Sequence, residues 1–202
     1  MILASMLALA GRLISGASVR WIGCEPSTKQ RVYFANHSSH FDFLVLWSAL
    51  PGALRELTRP VAARDYWAGG RLRYYLATNV FRAILIERRH IEGQQNDAID
   101  VMLDAMGDRY SLILFPEGTR GSGPEPAAFR SGLYNLALRR PDLELVPVYL
   151  RNLNRVLPKG EFLPVPLSSS VTFGAPLRVD RDEPREDFLD RARESVVRLS
   201  RQ

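Results

Sequence analysis

One cysteine, two lysines and three histidines are all that the 202-residue chain offers of three chemically versatile side chains. The single cysteine, Cys24, excludes an intramolecular disulfide and a thiolate metal cluster, and it permits a reducing compartment. With only Lys29 and Lys159 among 27 basic residues, 25 arginines carry nearly all the positive charge. Also missing is any apolar run long enough to cross a bilayer: MILASMLALAG is interrupted at Arg12, after about half the necessary length. Internal repeats and a convincing linker are absent too.

What remains is ordinary globular material, 46% hydrophobic and 24% charged, which excludes disorder, a collagen-like repeat and a bundle of spanning helices. The net charge of +5, held by guanidinium groups, suits a phosphorylated partner, because the planar fork matches phosphate oxygens. Charge and aromatics alone do not make a nucleic-acid site; no recognition-helix or stacking motif accompanies them, so no nucleic acid is expected.

The first 25 residues read as an amphipathic helix. Ala8-Leu9-Ala10 superficially resembles a signal-peptidase site, but the basic region that should precede it is missing, which disfavours secretion. Such a helix lies against a membrane surface or packs on the domain, and the residues allow both. We therefore expect residues 1–25 as a membrane-associating helix and 26–202 as a single α/β domain.

Along that domain, strands are expected at 31–35, 61–63, 80–87, 111–115, 144–150 and 170–174, and helices at 41–50, 94–106, 130–138 and 182–199, the last capped by Asp182. The near-continuous apolar character of SLILF implies a strand covered on both faces, and the alternation implies a mostly parallel sheet flanked by helices. Between 64 and 75 lies an aromatic and basic mixture, including Tyr66, Trp67, Arg71, Arg73, Tyr74 and Tyr75, suited to a membrane interface or a phosphate-rich surface.

Chemistry concentrates in two places. His37 sits in the loop after a strand, with Asp42 five residues on at the start of a helix. A carboxylate accepting from one imidazole nitrogen fixes the tautomer and leaves the other free to take a proton from a hydroxyl, commonly worth about 10²–10⁴ in rate. Taken alone, this spacing also fits a loop histidine beside a helix-capping aspartate. A metal set of His37, His40 and Asp42 would need His37 in a helix, and His90, following two arginines, adds no obvious ligand; no metal is expected. The second place is FPEGTR (115–120), at the carboxyl end of a buried strand where α/β folds bind ligands. There Gly118 permits close backbone approach and Arg120 supplies a fork for phosphate. Arg88, after another strand, would join it if the strands are neighbours.

In their order, NHSSHFD (36–42), AILIER (83–88), FPEGTR (115–120) and LVPVYL (145–150) resemble the four blocks of the glycerolipid acyltransferase family. FRSGLYNLA (129–137) and RVLPKG (155–160) resemble its usual sequel, so the likeness spans roughly residues 31–174. The resemblance implies transfer of a fatty acyl group from acyl-CoA or acyl carrier protein to the free hydroxyl of lysophosphatidate. It implies His37 as general base and Asp42 as its orienting partner. Arg88, Glu117, Gly118, Thr119 and Arg120 would form the acceptor phosphate site, with Asn36 and Pro147 supporting. Glu87 departs mildly from the second block, where a small acid or amide is usual. No cofactor is implied beyond the thioester co-substrate, and no acyl-enzyme is needed if both substrates bind together. The expected partners are the lysophospholipid, the thioester donor and an anionic membrane surface, met peripherally or monotopically from the cytoplasmic face. Other acceptors (a lyso-ornithine lipid, another lysophospholipid or glycerol 3-phosphate) and a non-catalytic lipid-binding role remain as alternatives.

Overall fold

Apolar runs rich in β-branched and aromatic residues become buried strands here, and the amphipathic segments become helices laid over them. The computed structural model describes residues 2–39, 42–87, 97–121, 123, 125–151 and 169–202. In chain order these form α1 (Ile2–Ser15), β1 (Ser18–Trp21), β2 (Arg31–Ala35), α2 (Asp42–Ala49), α3 (Gly52–Glu56), β3 (Thr58–Ala63), α4 (Arg64–Trp67) and α5 (Arg71–Tyr75). A π-helical turn (Leu76–Val80) follows, then β4 (Ile84–Ile86), α6 (Asp97–Met106), β5 (Ser111–Leu114), α7 (Gly132–Arg139), β6 (Glu144–Arg151), β7 (Ser170–Phe173) and α8 (Arg185–Leu199).

The strands make one seven-stranded sheet in the order β1-β7-β6-β2-β5-β3-β4. Every pairing is parallel except β6 with β7. All five residues of β2 and all four of β5 are buried, as a strand covered on both faces requires. Alternation along β2 divides the core in two: Tyr33 and Ala35 face a cluster with α2 and Phe81, whereas Val32 and Phe34 face α6, α7 and α8. The mostly parallel, helix-flanked sheet expected from sequence is the sheet observed.

Residues 1–25 contribute both α1 and an edge strand. β1 pairs with β7 in register Val19 to Val171, and α1 lies along α2. Ala8 is buried, and Gly11 comes so close to α2 that an added Cβ would lie 2.5 Å from Ser48 Oγ. Arg12 Nε donates to the Ser48 carbonyl at 2.6 Å, satisfying a carbonyl that the end of α2 leaves open. The opposite side leaves Leu3, Met6 and Leu9 exposed.

Two local expectations need correction. The strand expected at 80–87 is only Ile84–Ile86, because Val80 closes the π-helical turn and Arg82 takes a left-handed φ of 50°. Phe81 is thereby turned into the core against Phe43 and Trp47. Asp182 does not cap α8, whose cap position is Pro184 with no side-chain bond; Glu183 instead bonds Arg191 at 2.7 and 2.6 Å.

Candidate active site

Because β2 and β5 are adjacent and parallel, with Phe34 beside Leu114, the segments that leave their carboxyl ends emerge side by side. One carries His37 and the other carries residues 115–120. The crevice at this edge of an open α/β sheet is where such folds bind ligands.

His37 Nδ1 lies 2.9 Å from Asp42 Oδ2. The same oxygen accepts the backbone N–H groups of Ser38 at 2.5 Å and Ser39 at 2.8 Å, and Asp42 is fully buried. An aspartate in the first turn of α2 is also favoured by the helix dipole. The carboxylate thus folds the loop and holds the ring at once. The imidazole stacks on Phe115, with centroids 4.4 Å apart and planes inclined by 26°. With Nδ1 committed to Asp42, Nε2 is the nitrogen left for a substrate proton, and the side chain keeps 21% of its surface open.

Both carboxylate oxygens of Glu117 are engaged by backbone N–H groups. The residue is 4% exposed, with Oε1 accepting the His37 N–H at 2.7 Å and Oε2 accepting the Ala127 N–H at 2.9 Å. The Gly121 N–H donates to the His37 carbonyl at 2.8 Å, closing a second link between the two loops. Gly118 has φ +70°, a value that favours glycine, while Thr119 and Arg120 are exposed.

Asn36 is buried and completes the β2–β6 ladder: its amide nitrogen donates to the Leu150 carbonyl at 3.0 Å, and Leu150 N–H donates to its Oδ1 at 2.7 Å. Pro147 lies within β6 opposite Phe34, its carbonyl accepting from Gly174 N–H at 2.8 Å. The fold therefore brings His37, Asp42, Glu117, Gly118, Thr119 and Arg120 together, with Asn36 just past the end of β2 and Pro147 within β6 behind them. Arg88 and the stretch 155–160 lie outside the described residues, as does His40.

One residue that sequence reasoning did not single out belongs with this group. Arg130 N–H donates to the Pro116 carbonyl at 2.9 Å, and a Cβ on Gly118 would lie 2.7 Å from Arg130 Nε. Its exposed guanidinium is thus laid against the turn that carries Arg120. Nothing in spacing distinguishes it among 25 arginines; only the return of the chain to Pro116 does.

A family model described as Acyltransferase matches residues 19–151. The chain is similar to a 1-acyl-sn-glycerol-3-phosphate acyltransferase of Limnanthes douglasii, 30% identical over 168 residues, covering 83% of this chain and 57% of that one. It is also similar to the alpha form of that enzyme from Mus musculus, 27% identical over 164 residues and covering 77% and 53% of the two chains. The chain thus spans little more than half the length of these curated relatives. Among solved structures, the 1-acyl-sn-glycerophosphate (LPA) acyltransferase PlsC of Thermotoga maritima shares the fold, with a TM-score of 0.71 at 17% identity over 98% of this chain and 80% of that one. With the family model covering all four sequence blocks and the paired His37 and Asp42 in place on this fold, the chain belongs to the acyltransferase family.

Proposed function

We propose that this domain transfers a fatty acyl group from an acyl-CoA or acyl carrier protein thioester to the free hydroxyl of lysophosphatidate, giving phosphatidate. The 2.9 Å pairing of His37 Nδ1 with buried Asp42 carries the reading, because it orients an imidazole beside a phosphate-suited turn. The names of the relatives, which specify a 1-acylglycerol 3-phosphate acceptor, support lysophosphatidate over other lysolipids.

In this reading His37 Nε2 takes the hydroxyl proton as that oxygen attacks the thioester carbonyl. The tetrahedral intermediate collapses with loss of the C–S bond, and the departing sulfur takes the proton back from the imidazolium. Asp42 stabilises that imidazolium and keeps the tautomer. Arg120 and Arg130, with Arg88, supply guanidinium groups for the acceptor phosphate, the Gly118 and Thr119 backbone shapes the turn beneath it, and Glu117 positions rather than binds. No helix among the described residues is long and apolar enough to cross a membrane. In this reading the domain meets the membrane peripherally or monotopically, on the cytoplasmic face where thioester donors are made.

The test is acyl transfer by purified protein from palmitoyl-CoA and from palmitoyl carrier protein to lysophosphatidate, with His37→Ala and Arg120→Ala alongside. Wild-type phosphatidate formation, its loss in the histidine variant and a raised acceptor KM in the arginine variant are expected. Equal turnover by wild type and His37→Ala rejects the mechanism. Wild-type transfer to another lysolipid but not to lysophosphatidate rejects the acceptor.

A further inference from the structure

The segment 64–75 concentrates exposed apolar, aromatic and basic side chains. Leu72 is 71% exposed, set between exposed Arg71 and Arg73, and Tyr66, Tyr74 and Tyr75 are exposed beside it. Single exposed leucines are unremarkable in soluble domains, but an exposed aliphatic side chain flanked by two guanidinium groups and three tyrosines within ten residues is not. Arg64, Arg71 and Arg73 against the one acidic residue, Asp65, give the segment a net positive charge. Arg73 lies over the Tyr66 ring at 5.3 Å, so part of the cationic charge is held at the aromatic surface.

This surface leads inward to the base. Tyr66 meets Trp67 edge-on at 5.6 Å, Trp67 meets Phe43 at 5.3 Å, and Phe43 follows Asp42, whose carboxylate holds His37. Trp67, Leu76 and Val80 pack on the same side of the sheet as α1 and α2, so the exposed Leu3, Met6 and Leu9 of α1 belong to the same layer.

We infer that α4 and α5 form a membrane-contact element that seats the domain on an anionic bilayer surface and sets the aromatic row from Tyr66 to Phe43 between that surface and His37. The occupant is a lipid surface because the chemistry pairs tyrosine and leucine, which partition into the headgroup boundary, with arginines that attract anionic lipid. The inference rests on the acyltransferase reading for its purpose, since an acceptor held in a bilayer must present its hydroxyl to His37 without leaving the lipid.

The experiment uses the full chain with Leu72→Asp and, separately, Arg71→Glu/Arg73→Glu, neither of which touches the His37 site. Flotation is measured with phosphatidylcholine vesicles and with vesicles containing phosphatidylglycerol, and thermal unfolding is followed for each protein. Transfer is assayed with vesicle-borne lysophosphatidate and with a short-chain, water-soluble analogue. The expected result is a loss of at least about tenfold in partition to anionic vesicles for both variants. A matching fall in transfer to the vesicle-borne acceptor should accompany it, with unchanged turnover of the soluble one.

Wild-type levels of binding in both variants overturn the inference. So does a selective loss of carrier-protein donor use with normal flotation, which would make the patch a dock for an acidic protein. Failure of the wild type to acylate either acceptor rejects the acyltransfer reading instead, and the flotation arm still tests the surface.

Discussion

Glu117 holds His37 by its backbone: the Glu117 Oε1 oxygen accepts the His37 N–H at 2.7 Å. The partner oxygen accepts from Ala127 at 2.9 Å, so one buried carboxylate ties the strand end that carries His37 to the loop that leads to Arg130.

Replacing it with glutamine turns one acceptor into a donor facing a backbone N–H. We expect Glu117→Gln to lose about 1–3 kcal/mol of stability, seen as a lower urea midpoint. Its kcat should fall while acceptor KM moves little. A raised KM with unchanged kcat would show Glu117 acting on the acceptor itself.

Asp42→Asn keeps the size of the side chain but removes the charge that His37 Nδ1 and two backbone N–H groups face. A fall of about 10²–10⁴ in kcat is expected from the loss of a held, oriented base. Steady-state kinetics beside circular dichroism checks this, and near-normal kcat in a folded variant would remove Asp42 from the mechanism.

At Gly118 a methyl group meets two obstacles, a left-handed φ of +70° and Arg130 Nε 2.7 Å from the new Cβ. Gly118→Ala should cost about 1–3 kcal/mol in stability and raise the acceptor KM. Arg130→Ala removes the steric part, so the double variant should be less destabilised than the sum of the singles. A double-mutant cycle of unfolding free energies measures that coupling, and simple additivity would place the two side chains out of contact.

Burial pushes the Cys24 thiol above its ordinary value, only partly offset by the Arg31 charge. A raised value leaves less thiolate at neutral pH, so alkylation should be slow there and accelerate only in alkali above the ordinary thiol range. As the chain holds no other cysteine, iodoacetamide labelling followed by mass reads the site directly. Alkylated protein retaining its transfer rate would agree with a mechanism that forms no acyl-cysteine.

Much of this was legible in the residues themselves. SLILF reads as a strand buried on both faces because it is apolar after its first residue, and Ser111–Leu114 form that strand with all four residues buried. The four ordered blocks pointed to the acyltransferase family, and the family model covers them. The 80–87 run misled because apolar content alone does not separate a strand from a π-helical turn whose following phenylalanine is captured by Phe43 and Trp47.

Composition, hydrophobic period and motif order are properties of neighbours along the chain, and they determined the α/β class, the pairing of His37 with a nearby carboxylate and the strand end bearing Arg120. The tertiary structure alone decided that β2 lies beside β5, that Glu117 turns inward to hold His37, that Arg130 returns to Gly118, and that Leu72 stays in the open. Each of these depends on which distant segments meet across the sheet. Strand order and side-chain burial are settled by the packing of the whole core, which no local stretch encodes.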